Sequence, residues 1–165
     1  MKIGIYGGSF DPITKGHLRV AKLALQSVDE VWILPSYKSL YKKLSSSKHR
    51  VKMCNLVIEN EPNIKMCNFE IENKIIGTDK NFLDHFYSKY DKSNEYYFII
   101  GMDNALNIHT WKDYPHILDK IKFIVVERKG CKYSKKEWFC KKPHLFISND
   151  LNYNISSGLF KKNYI

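Results

Sequence analysis

The sequence predicts an α/β fold, a Rossmann-like parallel sheet with helices on both faces. Short apolar runs rich in Ile, Val, Tyr and Phe alternate along the chain with segments whose apolar residues recur at helical spacing. Such alternation folds through right-handed crossovers into a parallel sheet covered on both sides. The first run also ends in Gly7-Gly8 shortly before a helical pattern begins, the strand, loop and helix order that cradles phosphates. At 165 residues, one domain spanning 1–165 is expected, long enough to bury a real core.

The elements follow in order. Ile3, Ile5 and Tyr6 make a first strand interrupted by Gly4. From Thr14, a suitable N-cap, Leu18, Ala21, Ala24 and Leu25 mark a helix. Glu30 to Leu34 (EVWIL) predicts a second strand closed by Pro35-Ser36, before a polar, Lys-rich loop from Tyr37 to Ser47. His49 to Glu59 predicts a helix with Val51, Cys54 and Ile58 on one side and Ser46 or Ser47 as cap. Ile64 to Phe69 alternates like a third strand, Asn81 to Tyr90 carries Phe82, Leu83 and Phe86 at helical spacing, and Tyr96 to Ile100 is a strongly apolar fourth strand. Pro115 to Lys120 predicts a short helix, Lys122 to Glu127 a fifth strand, Ser134 to Cys140 a helix and His144 to Ser148 a sixth strand. A last helix is expected near Ser156.

Composition narrows the function. No apolar run is long enough to span a membrane, and no signal-type apolar stretch precedes the first strand, so a cytoplasmic protein with no membrane partner is expected. Cys54, Cys67, Cys131 and Cys140 show no C-x-x-C pairing and no His at finger spacing, so reduced thiols and no metal cage are expected. The net charge of +10 is almost all Lys scattered along the chain, with Arg only at Arg19, Arg50 and Arg128. That distribution argues for compositional drift rather than a nucleic-acid surface, though a positive field still gathers phosphorylated substrates. No stable nucleic-acid partner is expected, and a homo-oligomer is left open.

In a parallel sheet ligands bind beyond the carboxyl ends of the strands, where strand order reverses. The loops to inspect are therefore Gly7 to His17, Pro35 to Lys43, Gly101 to Trp111 and the segment before Ser156. Gly7 and Gly8 let a ligand approach the backbone, and the helix start from Thr14 to His17 presents free N–H groups with Lys15 and His17 beside them. An ordinary Gly-Gly and Asp-Pro turn, with Asp11 in an Asx-turn, is the plainer alternative. The residues match neither the dinucleotide fingerprint nor the P-loop. Instead, Gly8-Ser9-Phe10-Asp11-Pro12 followed by Gly16-His17 closely resembles the G-x-F-D-P…G-H signature of the nucleotidyltransferase superfamily, which activates small phosphorylated metabolites with ATP.

Three further stretches resemble one branch, the nicotinate-nucleotide adenylyltransferases of NAD biosynthesis. Pro35 to Lys43 resembles the family's post-strand loop with a Lys facing the nucleotide phosphate, which marks Lys42. Phe98 to Asp103 with Trp111 is similar to its I-G-x-D…W segment, and Ile155 to Lys161 to its I-S-S-T-x-I-R motif. The resemblance runs through nearly the whole chain in order. It has departures: Thr14 stands where this branch usually has His and resembles the phosphopantetheine adenylyltransferases, Gly158 replaces a Thr, and Lys161 replaces an Arg, keeping charge but losing the bidentate fork. The stretch after the third strand reads Thr78 to Phe82, TDKNF, and the family continues past the position where this sequence ends at Ile165.

The resemblance implies attack of the mononucleotide 5′-phosphate on the α-phosphorus of ATP, with no covalent enzyme intermediate. His17 and Thr14 at the helix start and Lys161 then serve catalysis. ATP is held by Gly7, Gly8, Ser9, Phe10, Gly16, His17, Gly101, Asp103, Ser156 and Ser157. The mononucleotide is held by Lys42, Thr78 and Trp111, and Mg²⁺ arrives with the triphosphate. Each residue type suits the role implied for it, since a carboxylate after a strand accepts ribose hydroxyls, an indole stacks on a flat heterocycle, and seryl groups at a helix start face phosphates. Each also has a plainer reading, as helix cap, core aromatic and cap respectively. Phosphopantetheine adenylyltransferase and a non-catalytic nucleotide- or nucleic-acid-binding module are the alternatives.

Overall fold

The computed structural model describes residues 1–39, 42–75, 82–111, 114, 116–129 and 132–149. Within them lie β1 (Lys2–Gly8), α1 (Lys15–Ala24), β2 (Glu30–Pro35), α2 (Ser47–Ile58), β3 (Ile64–Met66), α3 (Phe69–Glu72), α4 (Phe82–Lys89), β4 (Glu95–Gly101), α5 (Met102–Leu106), α6 (His116–Lys120), β5 (Phe123–Val126) and β6 (Leu145–Ile147). The six strands form one parallel sheet in the order β3-β2-β1-β4-β5-β6. The chain winds outward from β1 through β2 to β3, then returns to place β4 on the other side of β1. Strand order therefore reverses between β1 and β4, which opens the ligand crevice at their carboxyl ends.

Alternating side chains cover the two faces. Val31, Ile33, Tyr97, Ile99, Ile124 and Val126 join Leu18, Ala21 and Ala24 of α1 and Cys54 and Ile58 of α2 in one core. Ile3, Ile5, Leu34 and Tyr96 face the opposite way, against Phe69 of α3 and Phe86 of α4. Phe86 lies near the centre of that aromatic layer, 4.6 Å from Tyr90 and 5.4 Å from Tyr96 between ring centroids. A third cluster joins Met102, Ala105 and Ile108 to Phe123, Val125 and Phe139. Gly4, the break in the first apolar run, is there for packing: a Cβ would stand 2.9 Å from Ile99 Cδ1. A glycine inside a strand marks such a close approach.

Several expectations change in detail. The third strand ends at Met66, because Cys67 and Asn68 turn the chain into α3 and Phe69 enters the core from that helix. On α2 the inward residues are Arg50, Cys54 and Ile58, so the buried stripe begins at Arg50 rather than at Val51, which is half-buried. Ser46 is the α2 cap, accepting from His49 N–H at 3.2 Å. The helix expected over Ser134 to Cys140 is a single 3-10 turn, Trp138–Cys140. Two pieces were unforeseen after β4: α5, and the 3-10 turn Ile108–Thr110. Among the described residues Cys54, Cys67 and Cys140 are free thiols, and no helix is long and apolar enough to cross a membrane. The last expected helix falls outside the described residues.

Candidate active site

The carboxyl ends of β1, β2, β4 and β5 share one edge of the sheet, in register Gly8 with Pro35 and Gly101 with Val126. This puts Gly7, Gly8, Ser9, Phe10, Thr14, Gly16 and His17 of the β1–α1 connection on the same edge as Gly101 and Asp103. Gly7, Thr14, Gly16 and Gly101 are exposed, and a Cβ on Gly101 would meet nothing within 4 Å. The floor of the crevice is thus bare backbone with room above it. Gly8 has a different partner: its Cβ would come within 3.3 Å of Phe10 Cζ, so the glycine lets the Phe10 ring fold back over the strand end. Phe10 itself is buried and takes φ of 47°, a left-handed turn that costs a residue with a side chain about 1–2 kcal/mol.

Thr14 and His17 cap α1 reciprocally. His17 N–H donates to Thr14 Oγ1 at 3.4 Å, while Thr14 N–H donates to His17 Nδ1 at 2.9 Å. A backbone N–H on Nδ1 fixes that nitrogen as the acceptor, so the neutral imidazole carries its proton on Nε2. Burial pushes the His17 pKa below its ordinary value, which keeps the ring neutral at pH 7. The ring is held edge-on to Phe10 at 5.2 Å and tilted to Tyr6 at 6.2 Å. His17 is therefore a fixed, neutral N–H donor at the start of a helix, where the dipole also favours an anion.

The other predicted residues fall around this centre. Asp103 sits in the first turn of α5 and is ion-paired with Arg128, which follows β5. Lys42 is exposed and lines a pocket of about 360 Å³ with Tyr37, Lys38, Lys43, Ser45 and Ser47, on the β2 side of the crevice. Trp111 caps the 3-10 turn after α5 and is half-buried, edge-on to Phe123 at 6.3 Å. Part of its ring thus serves the third core cluster. Thr78, Ser156, Ser157 and Lys161 lie outside the described residues.

Asp11 does more than close a turn: its Oδ2 accepts from Ser45 N–H at 2.8 Å, across to the β2–α2 loop. That bond, helped by Arg50 and Lys42, holds the Asp11 carboxyl below its usual range. Two arginines carry more than the sequence suggests. Arg128 stands out in the sequence only through its charge, and Arg50 looks like a solvated residue of α2 although it is fully buried. The one signal for Arg50 is its position four residues before Cys54 and eight before Ile58, in line with them on the helix.

A cytidylyltransferase-like family model matches residues 5–163. A probable nicotinate-nucleotide adenylyltransferase of Fusobacterium nucleatum is 33% identical over 167 aligned positions, covering 95% of this chain and 84% of that protein. The chain belongs to the nicotinate-nucleotide adenylyltransferase family. A second probable member, from Pelagibacter ubique, is 32% identical and covers 98% of this chain and 92% of its own. Among solved structures, the Plasmodium falciparum nicotinic acid mononucleotide adenylyltransferase complexed with NaAD superposes with a TM-score of 0.77 at 25% identity, over 99% of this chain and 90% of that one. The family assignment accounts for the order of the matched segments, and the fold places those within the described residues on one sheet edge.

Proposed function

We propose that this family member transfers the adenylyl group of ATP to nicotinate mononucleotide, giving deamido-NAD and pyrophosphate. An oxygen of the mononucleotide 5′-phosphate forms a bond to the α-phosphorus, and the bond from that phosphorus to the bridging oxygen of the β-phosphate breaks, with its electron pair leaving on pyrophosphate. Little covalent chemistry falls to the protein, so catalysis is positioning and charge stabilisation. The observation that carries the reading is the His17 capping box: with Nδ1 taken by Thr14 N–H, it leaves the proton on Nε2 at a helix start on the same sheet edge as the exposed glycine backbone. His17 donates to the α-phosphate as charge develops, while the Gly7 to Phe10 backbone, Thr14 and Gly16 surround the phosphates.

Asp103 accepts the ribose hydroxyls while its ion pair with Arg128 orients the carboxylate. Lys42 meets the mononucleotide phosphate in the lysine-lined pocket, and the exposed part of Trp111 stacks on the pyridine ring. Thr78, Ser156, Ser157 and Lys161 keep the roles that the family resemblance implies. Among the described residues no three His, Cys, Asp or Glu side chains cluster as metal ligands, and Mg²⁺ is proposed to enter as the MgATP complex, where it neutralises phosphate charge. The cytoplasm, which holds these metabolites, is the proposed location. The test incubates the protein with Mg-ATP and, in turn, nicotinate mononucleotide, nicotinamide mononucleotide and phosphopantetheine, following pyrophosphate and identifying the product. Deamido-NAD is expected as the principal product; dephospho-CoA, or no turnover with any acceptor, would overturn the reading.

A further inference from the structure

Arg50 is the largest fully buried side chain among the described residues, and its guanidinium is spent on backbone. Nε donates to Ser45 C=O at 2.9 Å, Nη1 to Ser9 C=O at 2.8 Å, and Nη2 to Tyr37 C=O at 3.1 Å and Ser47 Oγ at 3.5 Å. None of these acceptors is a carboxylate. A buried charge is costly unless it is well satisfied, and here three carbonyl dipoles do that, with Asp11 bound to the N–H of the same Ser45. The acceptors come from two loops: Ser9 belongs to the β1–α1 connection on the ATP side, Tyr37 and Ser45 to the β2–α2 connection on the mononucleotide side.

The Ser9 contact has a geometric consequence. A trans peptide is planar with C=O and N–H pointing opposite ways. Fixing Ser9 C=O on the interior guanidinium therefore turns Phe10 N–H away from Arg50. It also pins the residue before Phe10, whose φ of 47° must be held by its surroundings. A lysine offers one point charge in place of the fork and cannot reach three carbonyls at set angles.

We propose that Arg50 is a positioning residue for adenylyl transfer, locking the ATP-side loop to the mononucleotide-side loop and setting the backbone amide at Phe10 for the phosphates. The inference rests on the proposed reaction. Touching neither substrate, Arg50 acts through the loops, so its loss alters both substrates together.

The test compares the parent, Arg50→Met and Arg50→Lys, with Tm measured first and kinetics then run at a temperature where each protein is fully folded by circular dichroism. Per folded molecule, Arg50→Met is expected to lose about a hundredfold in kcat/KM for ATP and for nicotinate mononucleotide alike, as a small misplacement of reacting groups does. Arg50→Lys is expected to recover part of the Tm but less than a tenth of the lost kcat/KM. Unchanged kcat/KM in folded Arg50→Met would overturn the inference, as would full rescue by Arg50→Lys, which would leave only a charge requirement. A loss confined to one substrate would remove the coupling of the loops. If Arg50→Met does not fold, Arg50→Lys carries the comparison, and failure of both to fold makes Arg50 a folding residue and overturns the inference. A parent that forms no deamido-NAD would instead refute the reaction, whatever the variants do.

Discussion

At the scale of single residues, the site depends on side chains whose state is fixed by neighbours. His17 has its Nδ1 taken by Thr14 N–H, so His17→Ala removes one preorganised donor and is expected to lower kcat about a hundred- to a thousandfold with ATP affinity little changed. Single-turnover rates beside ATP titration check this, and unchanged turnover would remove His17 from the chemistry. Trp111 has two duties, one against Phe123 and one proposed against the pyridine ring. Trp111→Ala is expected to cost about 1–3 kcal/mol of mononucleotide binding by analogy with base stacking, together with a lower Tm, while KM for ATP stays near the parent value. Equal weakening of both substrates would mark Trp111 as a core residue alone.

At the scale of elements, α1 is the working helix, and its N-terminus is shaped by a capping box whose N3 side chain is the proposed catalytic group. The usual Glu or Gln at that position is replaced by His17, so stability and function share one pair of bonds. Thr14→Ala is expected to cost about 0.5–2 kcal/mol in urea unfolding. Thr14→Ser, which keeps the hydroxyl, is expected to retain most of the stability and turnover. Because Thr14 N–H is a backbone group, neither change deletes its bond to Nδ1, whereas Thr14→Ala removes the Oγ1 contacts with His17 N–H at 3.4 Å and Nδ1 at 3.0 Å; a Thr14→Ala variant with parent-like stability would show that Oγ1 contributes little. The short α5 plays the matching part after β4, carrying Asp103 to Arg128.

At the scale of the whole molecule, a buried group that titrates ties β5 to the segment that enters the outer strand β6. His144, just before β6, is buried, and its Nδ1 accepts Phe123 N–H of β5 at 3.1 Å with its ring edge-on to Trp138. Burial lowers its pKa below the ordinary 6.5. A depressed histidine pKa means the unfolded chain binds the proton first, so this contribution is complete above pH 6.5 and is lost as pH falls from there toward the folded-state pKa. His17, lowered for the same reason, adds in the same direction. Urea unfolding at pH 7 and pH 5 is expected to show a smaller acid loss in His144→Asn, which keeps an acceptor but does not titrate. The same slope in both proteins would exclude His144 as a source.

The sequence by itself determined the α/β class, all six strands, the Thr14 cap and the segments that carry the family resemblance. Those features are written in local periodicity, in cap chemistry and in motifs contiguous along the chain. Tertiary structure decided what depends on partners distant in sequence. Gly8 proved to accommodate the Phe10 ring, Asp11 to reach Ser45, Asp103 to pair with Arg128, and β3 to stop at Met66 so that Phe69 could enter the core from a helix. Arg50 is the clearest case. By composition it is one more cation on a Lys-rich chain, yet burial costs a guanidinium so much that only a site with several acceptors can hold it, and those acceptors lie 41, 13 and 5 residues away. No local pattern encodes a set of backbone carbonyls that exists only once two loops have met.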